Sequence, residues 1–317
     1  MKIIDNTTTS RAIGCILGQL AGDALGSLVE FQTPQEIRQK YPRGVREIHD
    51  GGAWNTIAGQ PTDDSEMALA LARSIVAEGA YIQDAARRAY EDWLASKPFD
   101  IGRTVYNGIR YEPDHQSQAN GALMRVSPLG IFGSQFPTER VGFWAEQDAI
   151  ITHPNLVCRQ INNLFARALS YAIAEGPTPR DVYQTIRKWS DELGVHDSIR
   201  DAIAAAEKEP PKDFVNQQGW VLIAFQNAIF QLLHSNSLED GVVSTVSNGG
   251  DTDTNAAIAG ALLGAIHGEC AIPSRWRESI LSCRPHEGNP KVAHPRPELY
   301  WPVDCIELAS QLLKRAG

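Results

Sequence analysis

The chain has 317 residues, of which 43% are apolar and 21% are charged, and its net charge at neutral pH is −9. This composition is typical of a globular protein, and the negative charge argues against a nucleic-acid partner, which would require a basic face. The longest apolar stretch, 256–266, is well short of the ~20 residues of a membrane-spanning helix, so we expect no membrane partner. Five scattered cysteines without a Cys-x-x-Cys pair, and no recognisable leader, predict a cytoplasmic protein with reduced thiols.

Helical periodicity dominates the chain and predicts an all-α fold. In chain order, the predicted helices span 9–30, 63–78, 82–96, 140–151, 154–175, 179–193, 195–207, 220–234, 253–268 and 302–315. The segments 41–61, 111–121 and 283–302 are predicted to be loops that carry function or cover other elements, since long loops are otherwise rare in compact domains. We expect one domain over residues 1–317, with the polar residues 1–10 as a flexible lead.

Two of the predicted helices carry glycine at every fourth position. These stripes consist of Gly14, Gly18, Gly22 and Gly26 in the first helix and of Gly260, Gly264 and Gly268 in the penultimate one. An interior glycine costs a helix roughly 1 kcal/mol relative to alanine, so close packing between helices should compensate for it. The stripes therefore predict that the two helices approach each other closely.

An unusual run of oxygen donors, Asp251-Thr252-Asp253-Thr254-Asn255, precedes the apolar part of the penultimate helix. Aspartate and threonine side chains cap helix amides, and negative charge suits a helix N-terminus. One cap requires only one such residue, however. Capping alone therefore does not explain the run.

A second acidic helix start has a similar pattern, Thr62-Asp63-Asp64-Ser65-Glu66. Asp63 and Glu66 have the spacing of a capping box, which leaves Asp64 without a structural role. If the two helices pack together, the aspartates of both runs converge, and their mutual repulsion requires compensation. Carboxylate and hydroxyl oxygens suit Mg²⁺ or Mn²⁺, so a divalent cation site is the alternative to capping.

Taken together, these motifs resemble the signature of the ADP-ribosylglycohydrolase family. The resemblance is carried by the segments 62–64 (TDD) and 250–255 (GDTDTN), and it is extended by 22–26 (GDALG), 120–125 (NGALMR) and 152–154 (THP). The segments follow one another in the family's order along most of the chain. Among the branches of the family, the chain is most similar to the bacterial dinitrogenase reductase-activating glycohydrolases.

The resemblance implies a compact orthogonal bundle of helices that binds two divalent cations, Mg²⁺ or Mn²⁺. By position, the implied metal ligands are Thr62, Asp63, Asp64, Asp251, Asp253 and Thr254. Glu30 matches the glutamate near the metals, and Asp100 matches an acidic residue that contacts the terminal ribose. These two residues are the expected catalytic pair.

The expected substrate contacts come from three further places in the chain. Backbone amides near glycines suit a diphosphate, which points to Asn120, Gly121, Gly249 and Gly250, although glycine pairs are equally common in plain turns. His153 matches a substrate-contacting histidine of the family, and without the resemblance it would be interpreted as a cap or surface residue. Trp220 lies where relatives place an aromatic ring against adenine, but an aromatic residue that opens an apolar helix is more often part of the core.

The function that follows from the resemblance is hydrolysis of ADP-ribose from modified protein side chains, with arginine as the expected attachment point, which would reverse mono-ADP-ribosylation. The expected partner is an ADP-ribosylated protein. One alternative is a hydrolase of another conjugate, such as serine-linked or O-acyl-ADP-ribose. Another is a binding protein that neutralises an ADP-ribosylating enzyme or toxin. The complete acidic set favours an enzyme.

Overall fold

The computed structural model describes residues 5–314 and confirms the all-α prediction. Over these residues there are fifteen α-helices, two 3₁₀ helices (Glu269–Ala271 and Glu298–Tyr300) and two isolated β-bridges, without an extended strand. In chain order the α-helices are α1 (Asn6–Gly26), α2 (Pro34–Lys40), α3 (Asp63–Glu78), α4 (Gln83–Ala95), α5 (Arg103–Arg110), α6 (Ser127–Gly133), α7 (Thr138–Ile150), α8 (Leu156–Glu175), α9 (Pro179–Glu192), α10 (Asp197–Ala206), α11 (Val221–His234), α12 (Leu238–Val246), α13 (Thr252–His267), α14 (Ser274–Ser282) and α15 (Cys305–Leu312).

The first helix begins earlier than the sequence pattern predicts. The Asp5 carboxylate accepts a hydrogen bond from the Thr8 amide at 2.7 Å and caps α1, which starts at Asn6. The prediction of a flexible lead is therefore wrong for residues 5–10, which form the cap and first turns of a helix. Residues 1–4 of that lead, and the predicted end of the last helix at 315, lie outside the described residues.

The sequence pattern missed the short helices, namely α2, α5, α6, α12 and α14. Each spans between 7 and 9 residues, so it shows too few turns for a period to be read. Helices of this length are not stable alone and depend on tertiary contacts. For α2 a local signal was nevertheless present, because Thr33 and Glu36 form a capping box around Pro34.

The glycine stripes bring α1 and α13 into direct backbone contact, as predicted. A Cβ atom on Gly18 would lie 2.2 Å from the carbonyl oxygen of Gly260, and one on Gly22 would lie 2.0 Å from that of Ala256. The pairing runs from Gly14 against Gly264 to the last turn of α1 against the first turn of α13, so the helices are antiparallel. The end of α1 consequently lies at the start of α13.

The remaining helices surround this central pair. Helices α11 and α12 pack on α13, while α8 packs against both α6 and α7. One connected set of buried apolar side chains extends from Ala12 to Leu313. That core is consistent with the single domain, which stays a prediction. No helix between residues 5 and 314 has the length and apolar character that crossing a membrane requires.

An aspartate of α1 also positions the start of α3. The Asp23 carboxylate is fully buried and accepts hydrogen bonds from the Thr62 amide at 3.2 Å, the Thr62 hydroxyl at 2.9 Å and the Ser65 amide at 3.2 Å. Thr62, the N-cap residue itself, makes no side-chain cap bond. The N-terminus of α3 is therefore capped by a side chain from another helix.

The predicted capping box at the start of α3 is wrong for the same reason. The Glu66 carboxylate accepts hydrogen bonds from the Arg296 guanidinium and the Trp93 indole at 2.8 Å each, and it does not reach back to the N-cap amide. Asp63 accepts from the Gly102 amide at 3.1 Å. Both carboxylates thus have long-range partners.

The α1–α13 contact predicts a large cost for adding one methyl group. We expect Gly18→Ala to lower the free energy of unfolding by about 2 kcal/mol or more, because the new Cβ atom would overlap the Gly260 carbonyl. The gain in helix propensity, about 1 kcal/mol, does not offset the overlap. Denaturant titration of both proteins measures the difference.

A matched control is Gly288→Ala, at an exposed turn where a new Cβ atom would come no nearer than 3.3 Å to the exposed His286 ring. This variant should unfold within about 0.5 kcal/mol of the parent. Equal stability of Gly18→Ala and Gly288→Ala would contradict the close backbone contact.

Candidate active site

A cavity of about 430 Å³ opens where the end of α1 meets the starts of α3 and α13. Its volume lies in the range of pockets that bind small molecules and cofactors. Five carboxylates contribute to its wall: Glu30, Asp63, Asp100, Asp251 and Asp253. The two acidic runs of the sequence, which are far apart along the chain, therefore meet in one cavity.

The tightest group in the wall consists of Glu30, Asp251 and Asp253. One carboxylate oxygen from each residue lies within 4.8 Å of the others. Glu30 follows the end of α1, where its Oε2 accepts a hydrogen bond of 2.6 Å from the Trp54 indole. Asp251 Oδ2 accepts from the Asn120 amide group at 2.7 Å. Although Asp251 is the N-cap residue of α13, its side chain makes no cap bond, so capping is not its role.

Asp64 belongs to the same cluster but lies deeper in the protein. It is fully buried, and its Oδ2 lies 3.1 Å from the Thr62 hydroxyl oxygen. Its Oδ1 is buried and has no hydrogen-bond partner. A buried carboxylate oxygen without a partner is costly unless a cation balances it.

Burial and crowding raise the pKa values of these carboxyl groups. Burial, followed by the charge of Asp251, raises the pKa of Glu30 to about 8. Burial, followed by the charge of Asp63, raises the pKa of Asp100 to about 10. Burial also raises the pKa of Asp63 to about 7 and holds the pKa values of Asp64 and Asp253 well above the usual range.

This donor set fits a hard divalent cation. Adjacent carboxylates that resist joint ionisation become stable anions when a cation lies between them. Of the six implied ligands, Asp63, Asp251, Asp253 and Thr254 face the cavity, while Thr62 and Asp64 are fully buried behind them. Oxygen-only ligands favour Mg²⁺, Mn²⁺ or Ca²⁺ over Zn²⁺.

Three of the expected substrate contacts also lie in the wall. Asn120, Gly121 and His153 line the cavity. His153 is fully buried and Asn155 is the N-cap of α8, so His153 is neither a surface residue nor a helix cap. Gly121 packs against its ring, because a Cβ atom there would lie 3.0 Å from His153 Cε1.

Gly249 and Gly250 do not form the expected anion cradle. Their amides already donate to backbone oxygens, Gly249 to Val246 at 3.3 Å and Gly250 to Gln32 at 3.0 Å. A Cβ atom on Gly250 would lie 2.0 Å from the Phe214 carbonyl oxygen, and neither glycine reaches the cavity wall. These glycines are required for close backbone packing, so the diphosphate assignment to them is wrong.

Trp220 lies behind the cavity wall. Its indole nitrogen donates to Gln118 Oε1 at 2.9 Å, and its backbone forms an isolated bridge with Ala119. The two residues before it, Gln218 and Gly219, line the cavity instead. The geometry therefore gives Trp220 a supporting position next to Asn120, and it does not favour direct contact with adenine.

Four further residues, to which the sequence motifs gave no role, contribute to the site. Asp23 caps α3, Trp54 bonds Glu30, and Phe31 and Arg103 line the cavity. A charged residue within the glycine-striped, apolar first helix was a signal for Asp23. Trp54 lies in the long 41–61 loop, whose length was itself a signal of function.

An all-α bundle whose meeting helix ends bring clustered carboxylates into one cavity defines a class of protein: helical proteins with an acidic site that could hold a cation. The comparison with known families is specific within that class. The sequence profile of the ADP-ribosylglycohydrolases matches residues 5–313. The chain belongs to the ADP-ribosylglycohydrolase family.

Individual relatives agree with this assignment. The chain is 33% identical to the ADP-ribosyl-(dinitrogen reductase) glycohydrolase of Rhodospirillum rubrum, over 85% of this chain and 90% of that protein. It is 26% identical to the ADP-ribosylarginine hydrolase Tri1 of Pseudomonas putida (strain GB-1), over 85% of this chain and 74% of that protein. A solved ADP-ribosylglycohydrolase-related protein complex superposes with a TM-score of 0.77 and 25% identity, covering 98% of this chain and 99% of that one.

The raised pKa values predict how stability depends on pH. A buried acid whose pKa is raised keeps its proton in the folded state after the unfolded chain has lost it, so folding weakens as pH rises. In EDTA we expect the free energy of unfolding to fall by on the order of a few kcal/mol between pH 5 and pH 8, where Asp23, Glu30 and Asp63 titrate. Denaturant titrations across this range measure the loss.

A divalent cation should reverse that loss. Mg²⁺ or Mn²⁺ that bound only the ionised carboxylates of the folded state would raise Tm more at pH 8 than at pH 5. Stability in EDTA that is equal at both pH values, or a cation-induced Tm shift that is independent of pH, would contradict the cluster as a cation site.

Proposed function

We propose that this protein is a divalent-cation-dependent hydrolase that removes ADP-ribose from modified arginine side chains of proteins. The observation that carries the proposal is the cluster of Glu30, Asp251 and Asp253, with oxygens within 4.8 Å of one another, in a cavity it shares with Asp63 and Asp100. The family of the chain is defined by glycohydrolase activity toward ADP-ribose. An unreactive binding protein would not need this concentration of buried charge.

The proposed reaction breaks the bond between the anomeric carbon of the ribose and a guanidinium nitrogen. Water supplies a hydroxyl group to the carbon and a proton to the nitrogen, so the products are ADP-ribose and unmodified arginine. The transition state carries positive charge on the anomeric carbon and ring oxygen. The cavity carboxylates stabilise that charge electrostatically.

The cation would be held by Asp63, Asp64, Asp251 and Asp253, with the Thr62 and Thr254 hydroxyls beside them. When bound, it neutralises these carboxylates and acts as a Lewis acid toward water and ribose hydroxyls. Asn120 and Gly102 hold Asp251 and Asp63 through hydrogen bonds of 2.7 and 3.1 Å. The ligand oxygens are thus oriented by the protein before a cation arrives.

Glu30 and Asp100 are the proposed acid–base and ribose-positioning groups. The Trp54 indole holds one Glu30 oxygen at 2.6 Å, and in the ionised form the other oxygen would accept a proton from the attacking water. Asp100 precedes the Gly102 amide that bonds Asp63, so its loop is tied to the cluster. Asp100 lines the same cavity, where its carboxyl group would form a hydrogen bond with a ribose oxygen.

The preference for arginine is supported by charge and by the relatives. A cavity lined with carboxylates attracts a guanidinium group and its cationic surroundings. The name of the Rhodospirillum rubrum protein specifies an ADP-ribosylated protein, dinitrogen reductase, and the name of the Pseudomonas putida protein specifies ADP-ribosylarginine.

The substrate prediction is tested with peptides that carry ADP-ribose on arginine, serine or cysteine. With Mg²⁺ or Mn²⁺, we expect kcat/KM for release of free ADP-ribose to be at least about 10-fold higher for the arginine linkage. Release from the arginine peptide should stop in EDTA. Comparable kcat/KM on the serine peptide would contradict the arginine assignment, and the family membership of the chain would stand.

The ligand prediction is tested with Asp251→Asn and Asp253→Asn. Asparagine caps a helix about as well as aspartate, so a capping role would leave both variants active. As cation ligands, both residues provide charge, and we expect kcat/KM to fall about 100-fold or more, together with the cation-induced rise in Tm.

The control for both variants is Asp201→Asn, which removes one carboxylate from the exposed face of α10. It should keep both the activity and the Tm shift of the parent. Active Asp251→Asn and Asp253→Asn proteins with an unchanged Tm shift would return the run at the start of α13 to a structural role.

A further inference from the structure

A fully buried hydrogen-bonded chain runs behind the cavity wall from Arg125 to His153. Arg125 Nε donates to Asp148 Oδ2 at 2.9 Å, and its Nη2 donates to the Asp148 carbonyl oxygen at 3.0 Å. The guanidinium also stacks over the Tyr90 ring, 4.2 Å from its centre. These contacts fix its orientation, so Nη1 points at the Thr152 hydroxyl oxygen, 2.9 Å away.

The protons of this chain can be assigned from chemistry. A guanidinium only donates hydrogen bonds, so the Thr152 oxygen accepts from Arg125. The same oxygen lies 2.8 Å from His153 Nδ1. If the hydroxyl proton points at Nδ1, both contacts are hydrogen bonds and the ring proton resides on Nε2.

The opposite assignment is unfavourable. If Nδ1 carried the proton, it would donate to the Thr152 oxygen, and the hydroxyl proton would be left without an acceptor among the described residues. Thr152 is fully buried, so water does not replace the missing partner. In that form the Thr152 hydroxyl proton and His153 Nε2 would both be buried without a partner, whereas the Nε2–H form leaves only the ring N–H for a ligand oxygen to accept.

The other ring nitrogen, Nε2, belongs to a ring that lines the cavity. His153 Nε2 is buried and has no hydrogen-bond partner within residues 5–314. This nitrogen lies next to Gly121 in the cavity wall, 3.2 Å from the place that a Cβ atom on Gly121 would occupy. Burial and the charge of Arg125 lower the pKa of His153 to about 3, so the ring is neutral under ordinary conditions.

We propose that Thr152, oriented by Arg125, is a positioning residue that fixes His153 in the Nε2–H tautomer. The ring then presents one neutral donor to an oxygen acceptor of the bound ADP-ribose. The identity of that ligand rests on the proposed function, whereas the tautomer does not. A neutral donor suits a cavity rich in carboxylates, because an imidazolium would pair with them and would not remain available to the ligand.

The first measurement is the ring nitrogen spectrum of ¹⁵N-labelled full-length protein, with the His153 signals assigned by their loss in His153→Asn. We expect Nε2 to carry the proton and Nδ1 to show the shift of an unprotonated, hydrogen-bonded nitrogen. A proton on Nδ1 in the parent protein overturns the inference. This readout is independent of catalysis.

The second measurement compares Thr152→Val with Thr152→Ser. Valine has nearly the same shape but lacks the hydroxyl group, so we expect a mixture of His153 tautomers and a roughly 10-fold higher Kd for ADP-ribose by calorimetry. Serine keeps the hydroxyl and should restore both the tautomer and the Kd to within about 2-fold. A merely structural role would not move the tautomer.

The outcomes separate this inference from the proposed function. A valine variant with the parental tautomer and Kd overturns the inference, even if the enzyme hydrolyses ADP-ribosyl arginine. A parental spectrum with the Nε2–H form, in a protein that does not bind ADP-ribose, supports the tautomer and overturns the ligand. If the valine variant does not fold, the parental spectrum and the serine variant decide.

Discussion

The backbone contact between α1 and α13 is the constraint on which the rest of the structure depends. Glycines at every fourth position remove the side chains that would hold the two helices apart, so a carbonyl of one helix takes the place of a Cβ atom on the other. Because the helices are antiparallel, the end of α1 reaches the first turn of α13. Gly26 is the last member of the stripe in α1, and a Cβ atom there would lie 2.3 Å from the Asp253 Cα atom. Packing therefore determines where Glu30 and Asp253 meet.

The acidic residues at the helix starts serve the cavity because other groups satisfy the helices. Asp23 crosses from α1 to cap α3, which leaves Asp63 and Asp64 free of that role. Asp251 is bonded to Asn120 and makes no cap bond. Where a distant group takes over the capping or bonding role, a carboxylate oxygen at the helix start stays directed at the cluster. Burial, followed by the repulsion that results, raises the pKa values of the group and makes a cation the natural counterpart.

The segment near the C-terminus braces the loop that carries Trp54. His294 Nε2 donates to the Trp54 carbonyl oxygen at 2.8 Å, and the His294 carbonyl accepts from Gln60 at 2.7 Å. Two residues further on, Arg296 forms a buried, bidentate pair with Glu66 at the start of α3. The position of Glu30 thus depends on a chain segment more than 200 residues away through Trp54, which no local pattern indicates.

Local patterns were sufficient wherever the relevant physics is local. A helix of three or more turns is long enough for its hydrophobic period to be recognised. Adjacent carboxylates such as Asp63 and Asp64 indicate a cation site within a few residues. Tertiary contacts decided the short helices, the capping of α3 by Asp23 and the pairing of Glu66 with Arg296. A hydrogen-bond partner is selected by proximity in space, which a local sequence pattern does not contain. Gly250 shows the difference most clearly: its sequence context resembled an anion-binding turn, but the approach of Phe214 in the folded chain requires a residue without a side chain.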